Sequence, residues 1–291
     1  MKHMIQKIST LVLLSSCVYA GEIQIGTGNF EMSGGFMGMS QTMSTDVTTY
    51  SLVQQHANLF SSDWFYKYNI TWYDSSVMTQ AQDTAVGMMN LTPMSVVTPA
   101  IDYKVQGLDV NIVLGNDIIH KDENNYLGFG LMFGFSMPWI ESSNAVELNY
   151  NLGTNLWDAM QKSDTDMLTY KVGPSISVMK SLNKHLMFYA SATYAYQAGT
   201  FKNDYAHFDV DVDGIYQEYD VGIKFQPVSE DYDMGWITIS PRMYATLGYK
   251  YTSWDLGEIS MDVTGVGMNF MKTEFNMNSS IAYFGWGYSF F

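Results

Sequence analysis

The stretch LMFYASATYAYQA, residues 186–198, alternates between two sets of side chains along its whole length. A period of two indicates a β-strand, because successive strand side chains point to opposite faces. The stretch is long enough for one tilted crossing of a bilayer, which takes about 9–11 residues. The set predicted to face outward is Leu186, Phe188, Ala190, Ala192, Tyr194, Tyr196 and Ala198, and the inward set is Met187, Tyr189, Ser191, Thr193, Ala195 and Gln197.

Residues 168–178 alternate in the same way, and the polar segment Asn183–His185 joins the two stretches as a short turn. Similar alternation along the chain predicts an all-β, antiparallel transmembrane barrel, most simply of ten strands, with eight or twelve left open. The alternation slips in the first two strands, and the apolar parity changes at Gly107 as at a bulge. The predicted strands are 22–37, 46–60, 64–74, 98–115, 126–139, 167–181, 186–201, 215–227, 236–252 and 278–290.

The last strand carries the most specific motif. The pattern Tyr283-x-Gly285-x-x-Tyr288-x-Phe290 resembles the C-terminal signal by which the assembly machinery of the Gram-negative outer membrane recognises its barrels. The usual pattern ends on its aromatic residue, whereas here Phe291 follows it. The resemblance implies a bacterial outer-membrane barrel, with outer-membrane lipid, lipopolysaccharide and the barrel-assembly machinery as partners. An even strand number suits two periplasmic ends.

The N-terminus reads as a signal peptide. Lys2 and Lys7 precede the apolar run 8–14, and residues 18–20 (Val-Tyr-Ala) form a small-residue cleavage site. We therefore predict a signal peptide at 1–20 and the barrel domain at 21–291. An alternative is a lipobox ending in Cys17, which would be acylated after cleavage before it.

The composition narrows the functional classes. The chain has 29 acidic and 14 basic residues. Cleavage after residue 20 removes two lysines, so the mature net charge is 12 − 29 = −17. Such an excess argues against nucleic acid as a partner and is compatible with acidic loops or a cation-favouring lumen. Cys17 is the only cysteine, so this cleavage leaves no disulfide and no cysteine-based metal site.

Charged residues are predicted to face the lumen. A hairpin centred near residue 231 would place Asp220 opposite or diagonal to Arg242, the only arginine. We therefore predict that Arg242 contacts Asp220 or Glu218 inside the barrel. Such charges could form a hydrogen-bonded plug or a constriction that selects solutes. The candidate lumen residues are Arg242, Asp220, Glu218, Lys224, Lys171 and Lys67, with Lys250 on the same face.

Weaker patterns bear on metals and catalysis. The alternating run Asp204, His207, Asp209, Asp211 and Asp213 lacks the fixed spacing of a calcium loop. Omptins, which are ten-stranded outer-membrane proteases, use a His–Asp pair and an Asp pair at the rim. Here the order His207-x-Asp209 differs from that arrangement, and Asp74 and Asp83 are not adjacent. No cofactor, metal or enzymatic activity is predicted.

The sequence favours a porin-like channel for small hydrophilic solutes with a cation bias. The second hypothesis is a non-conducting barrel whose outer loops bind a partner, and the third is a hydrolase at the rim. The predicted outer loops are 38–45, 75–97, 140–166, 202–214 and 253–277. The sequence indicates no oligomeric state.

Overall fold

A computed structural model of the protein describes residues 21–36, 39–59, 63–89, 92–98, 100–119, 125–145, 161–162, 164–204, 208–228, 230–233, 238–240, 242–263 and 268–288. The predicted signal peptide, with Cys17, and the aromatic Phe290 lie outside these ranges. Within the described ranges, no helix is long and apolar enough to cross a membrane.

The described chain folds into strands. In chain order they are β1 (Gly21–Phe36), β2 (Met39–Leu59), β3 (Trp64–Ser75), β4 (Met78–Gln80), β5 (Asp83–Met89), β6 (Thr92–Thr98), β7 (Ile101–Asp117), β8 (Asn125–Ser143), β9 (Thr165–Asn183), β10 (Leu186–Asn203), β11 (Phe208–Phe225), β12 (Tyr232–Asp233), β13 (Thr238–Ile239), β14 (Met243–Val263) and β15 (Met268–Tyr288).

Ten of these strands form one closed antiparallel barrel. Around the wall the order is β3, β2, β1, β15, β14, β11, β10, β9, β8 and β7, and β7 pairs with β3 to close it. The strand β4 extends β3 along β7, and β5 pairs with β6 in a separate hairpin. The all-β, ten-stranded prediction is confirmed. Closure leaves every strand of the wall paired on both sides, as a hydrocarbon environment requires.

The two ends of the barrel differ. Gly21 pairs with Tyr288, so both ends of the described chain lie beside the tight turn Asn183–Leu186. We call this the turn end and the opposite side the loop end. The predicted outer loops at 202–214 and 253–277 are mostly strand, because β10, β11, β14 and β15 continue past the apolar part of the wall. β14 and β15 have 21 residues each, about twice the length that a crossing needs.

The outer wall near the turn end is apolar. Ile23, Phe129 and Leu247 have 60%, 55% and 57% of their surface exposed. Exposed aromatic side chains lie on the same wall, among them Trp64, Tyr170, Tyr194, Tyr219, Tyr249 and Trp286. An apolar band with aromatic residues at its borders is the outer surface of a transmembrane barrel.

Towards the loop end the polarity of the two faces inverts. On β7 the inward residues Ile101, Tyr103 and Val105 are buried and apolar, whereas the inward Asp109 and Asn111 nearer the turn end are polar. The same change occurs on β1, from Glu22 and Gln24 to Phe30 and Met32. No register shift occurs at Gly107 in either pairing of β7, so the predicted bulge is wrong. The parity change marks where the barrel leaves the apolar layer and becomes a water-exposed barrel with an apolar core.

Candidate functional site in the barrel interior

The alternation placed most of the candidate lumen residues correctly. Lys67, Lys171, Glu218, Asp220 and Lys224 all point into the barrel. None of these residues has more than 9% of its surface exposed. Buried charges are stable only where they are paired and hydrogen-bonded, so their partners decide what the interior can do.

One ion pair spans the whole interior. Lys67 Nζ lies 3.3 Å from Asp220 Oδ2, although β3 and β11 are five strands apart in either direction round the wall. Lys67 also donates to Ser191 Oγ at 3.0 Å, and the Tyr283 hydroxyl donates to Asp220 Oδ1. The Tyr189 and Tyr283 hydroxyls are hydrogen-bonded to each other. Two side chains from opposite walls therefore meet in the middle of the barrel.

A second layer lies nearer the loop end. Lys171 forms an ion pair with Asp109 at 2.5 Å, and its Nζ lies 3.9 Å from the centre of the Tyr216 ring. The Tyr216 hydroxyl donates to Glu218 Oε2 at 2.9 Å, and Asn111 Nδ2 donates to the same oxygen at 3.2 Å from the other side. Asp109 also accepts hydrogen bonds from Ser136 and Asn111. This layer holds one ion pair and one further carboxylate, Glu218, which is bound by neutral hydrogen-bond donors.

A third layer of charged side chains lies at the turn end, on the side of the wall formed by β1, β14 and β11. Lys224 Nζ lies 3.3 Å from Glu22 Oε2 and 4.7 Å from the centre of the Tyr244 ring. Gln24 Nε2 donates to Glu22 Oε1 at 2.8 Å. Glu22 is 1% exposed, so this pair too is withdrawn from water.

Two small cavities lie between these layers. The larger described cavity has a volume of about 30 Å³ and is lined by Lys250, Glu218 and Asp109 among others; the second has about 10 Å³. A water molecule needs roughly 10–15 Å³ on this measure. The larger cavity therefore has room for about two water molecules and the smaller one for about one. Buried ion pairs therefore occupy the described interior at three levels.

Arg242 is not part of this network, so the predicted contact with Asp220 or Glu218 is wrong. Arg242 is exposed in the turn before β14, where its backbone N–H donates to Ser240 Oγ at 3.3 Å. In the sheet Asp220 pairs with Lys250, eight residues further along β14. Eight residues of strand span roughly 26 Å. The connection from 226 to 242 is longer than the turn assumed from the sequence, and this displaces the register.

Asp109, Asn111 and Glu22 are interior residues that were not predicted from the sequence, whereas Tyr216 was placed correctly on the inward face of Glu218. Asp109 and Asn111 lie on β7 next to the polarity inversion, which hid their parity. Glu22 follows the predicted cleavage site by two residues, and Gln24 at the same parity was the available signal.

The C-terminal motif has a second role in the structure. Tyr283 faces the interior and is 6% exposed, whereas Tyr288 lies on the outer wall. A Cβ at Gly285 would collide with the Glu22 carboxylate, so glycine leaves space for that inward carboxylate. The motif thus contributes to the interior packing, and its role as an assembly signal stays a prediction.

The described part of the proposed protease site is not assembled. Asp74 points outward and forms an ion pair with Lys104 at 2.9 Å, and Gln106 Nε2 donates to the same carboxylate oxygen. Asp209 lies on the outer wall of β11. The side chain of Asp83 and residue His207 lie outside the described part of the chain. An outward, ion-paired Asp74 cannot polarise a water inside the rim.

The outer wall of the loop end is acidic. Asp209, Asp211 and Asp213 are exposed on one face of β11, and Asp255 is exposed on the neighbouring β14. The Tyr196 hydroxyl donates to Asp213 Oδ2 at 3.3 Å. We call these four carboxylates the acidic wall. Among the residues that the structure describes, none of the four forms an ion pair, although Lys202 lies directly opposite Asp209 on β10. Their combined negative charge favours the approach of positive charge.

Comparison with known proteins gives remote similarity only. No protein-family model matches the chain, and no curated protein matches its sequence. The outer membrane protease OmpT from Escherichia coli is 8% identical with a TM-score of 0.48, over 93% of this chain and 97% of OmpT. The attachment invasion locus protein Ail of Yersinia pestis is 10% identical with a TM-score of 0.24, over 92% of this chain and 99% of Ail. The outer membrane protein OprG from Pseudomonas aeruginosa is 10% identical with a TM-score of 0.27, over 92% and 95%.

The functions in those names differ, and at this level of similarity none transfers to this chain. The class of the protein follows from its own geometry: a closed antiparallel wall, an apolar aromatic-bordered band and a polar interior. The chain is a ten-stranded antiparallel transmembrane β-barrel.

Proposed function

We propose that the protein is a non-conducting outer-membrane barrel that binds a partner through its loop end. The observation that carries this proposal is the ion pair between Lys67 and Asp220, which joins opposite walls in the middle of the barrel. A porin needs a continuous watery path, and the three described layers of side chains lie along the line that such a path would take. The filled interior therefore argues against the channel hypothesis and favours the second hypothesis drawn from the sequence.

Opening the barrel would be costly. Removing one partner of a buried ion pair typically costs about 3–5 kcal/mol, because the other charge remains buried. A path for solutes would have to separate the pairs of Lys67, Lys171 and Lys224 together. This cost favours a permanently closed interior that serves stability.

The partner chemistry follows from the acidic wall. Four exposed carboxylates on two adjacent strands attract cationic groups and steer their approach at low salt. We infer a cationic peptide or protein segment as the partner, with the loop end directed away from the cell. In this orientation the short turn and both chain ends lie in the periplasm. Outer-membrane lipid and lipopolysaccharide would contact the apolar band, and β15 would present the assembly signal. These roles require neither a cofactor nor a catalytic group.

Conductance in a planar bilayer tests the closed interior. We expect the refolded wild-type barrel to insert without current steps. A porin of known conductance inserted into the same bilayers is the positive control. The triple variant Lys67→Ser, Tyr189→Ala, Tyr283→Ala removes only the middle layer, so it should also show no steps while the Lys171 and Lys224 layers remain. Regular single-channel steps from the wild type would overturn the proposal.

Binding to oligolysine tests the acidic wall. We expect the triple variant Asp209→Asn, Asp211→Asn, Asp213→Asn to bind at least tenfold more weakly at low salt than the wild type. The control Asp231→Asn changes an exposed carboxylate at the turn end and should bind as the wild type does. Equal weakening in both variants would show a non-specific effect of net charge and would contradict the proposed surface.

A further inference from the structure

Three methionines form a row across adjacent strands near the loop end. Met32 of β1 lies directly opposite Met43 of β2 on one side and directly opposite Met277 of β15 on the other. Directly opposed residues of an antiparallel sheet point to the same face, which here is the interior. Three thioether side chains therefore extend from one level of the wall into the same space.

The row is enclosed. Met32 is 4% exposed and Met277 is 1% exposed, and Met43 packs against the same buried cluster. Met78 of β4 is 2% exposed and belongs to this cluster as well. Next to Met277 in the row, Trp254 of β14 continues the buried face. The thioethers thus lie in an apolar pocket at the loop end, above the charged layers.

Methionine is unusually frequent in the sequence around this row. The chain contains 22 methionines, and the segment EMSGGFMGMSQTM, residues 31–43, contains Met32, Met37, Met39 and Met43. The segment 261–277 contains Met261, Met268, Met271 and Met277. The pairing of β1 with β15 brings the two segments together at Met32 and Met277. A leucine would fill an apolar core with better-defined rotamers, so packing alone does not explain this choice.

We propose that Met32, Met43 and Met277 form a thioether site for a soft monovalent cation, Cu(I) or its analogue Ag(I). Thioether sulfur is a soft ligand that selects Cu(I) over harder ions. The three ligands are neutral, and a single positive charge is far less costly to bury among neutral ligands than a double one. Zn²⁺ is therefore disfavoured.

The spacing of the strands fits one shared ion. Neighbouring strands lie about 4.8 Å apart, so the outer two methionines start roughly 10 Å from each other. Each unbranched side chain can lean by roughly 3 Å towards Met32, which leaves about 4 Å between the outer sulfurs. Sulfurs separated by that distance can contact a single ion between them. Met32, at the centre of the row, needs no such displacement.

Titration of the refolded full-length barrel with Ag(I) tests the site, with native mass spectrometry for stoichiometry and X-ray absorption for the ligand atoms. We expect one tightly bound ion with sulfur scatterers. Met32→Leu and Met277→Leu should each weaken binding at least tenfold, and the double variant should abolish it. Met132→Leu and Met179→Leu change buried interior methionines elsewhere and are the matched controls.

The substitutions conserve volume, and the heat-shifted mobility of each variant on a gel confirms that the barrel is folded. Two results would overturn the inference: a folded wild type that binds no Ag(I), or a double variant that binds as the wild type does. Weakening by the control substitutions to the same extent would also overturn it, because sulfur at any position would then suffice. None of these readouts depends on whether the barrel conducts or binds oligolysine.

Discussion

Lys67 and Asp220 join opposite walls of the barrel through a 3.3 Å contact between Nζ and Oδ2. Four strands lie between β3 and β11 in each direction round the wall, so this pair spans the full diameter of the barrel. Tyr283 and Ser191 bind the two charged groups from further strands. The hydrogen bonds of the sheet join only adjacent strands, whereas this ion pair links two strands on opposite sides of the barrel.

Lys67→Met should destabilise the barrel by about 3 kcal/mol, because Asp220 would remain buried without its cross-barrel partner. Urea unfolding in lipid vesicles measures this cost. Lys104→Met is the matched control, since the Lys104–Asp74 pair is one-third exposed and should contribute under about 1 kcal/mol. Adding Asp220→Leu to Lys67→Met should recover part of the loss. Equal effects of the two lysine substitutions would contradict a dry central pair.

Arg242→Leu should change the free energy of unfolding by less than about 0.5 kcal/mol, as is usual for exposed positions away from special contacts. Arg242 lies in the turn before β14 and is exposed. The same unfolding assay applies. A loss comparable with that of Lys67→Met would show that the guanidinium reaches an interior carboxylate after all.

The contrast between these two residues shows what alternation can predict. Inward or outward parity depends only on local sequence, so the faces of Lys67, Lys171 and Asp220 were correctly predicted. The register depends on the length of the connection, which no local pattern reports. A hairpin centred at residue 231 would place Arg242 opposite Asp220. The structure instead pairs Asp220 with Lys250, which lies eight residues further along the chain. Because side chains alternate between the two faces, a register displacement by an even number of residues, here eight, changes the partner of Asp220 and leaves the predicted faces correct.

The loop-end parts of the strands were predicted as loops for a different reason. A search for an apolar outward face follows a strand only as far as the bilayer extends. Beyond Gly107 on β7, or beyond Thr252 on β14, the apolar residues face inward and the polar ones outward. Asp255 and Trp254 therefore read as a loop in sequence, although both belong to β14.

Gly248→Ala should destabilise the barrel by about 1–3 kcal/mol through overpacking. A Cβ at Gly248 would collide with the hydroxyl ends of Tyr283 and Tyr189, which belong to the middle layer. Gly34→Ala is the control, since a Cβ there would meet only the Phe275 ring at an ordinary 3.5 Å. That control should be neutral or slightly stabilising, because alanine restricts the unfolded chain. Thermal unfolding of the two variants in detergent compares them, and an equal loss would contradict the packing argument.

Asp102, at the loop end, should titrate below its ordinary pKa of 3.8. Hydrogen bonds from Asn144 Nδ2 at 2.8 Å and Thr79 Oγ1 at 2.6 Å stabilise its charged form and lower its pKa. The stability that these bonds contribute is present above the unfolded pKa and is lost as pH falls through the lower folded pKa.

Carbon NMR of the Asp102 carboxyl group measures this shift. Thr79→Val should raise the midpoint towards 3.8. Asn144→Gly should raise it further while tolerating the positive φ of 56° at this position. Thr45→Val is the control, because the Thr45 hydroxyl donates to the Val77 carbonyl instead. A wild-type midpoint above 3.8 would contradict the hydrogen bonds as the cause.

Single cysteines decide which end of the barrel faces outward. Asp211→Cys at the loop end and Lys184→Cys in the tight turn both replace exposed residues, and the chain has no cysteine beyond Cys17. Barrels of this class carry short turns on the periplasmic side and longer segments outside, so position 211 should react with an impermeant maleimide on intact cells. Position 184 should react only after the outer membrane is permeabilised, which also shows that both thiols are reactive. Labelling of intact cells at 184 but not at 211 would invert the barrel, and the acidic wall would then face the periplasm.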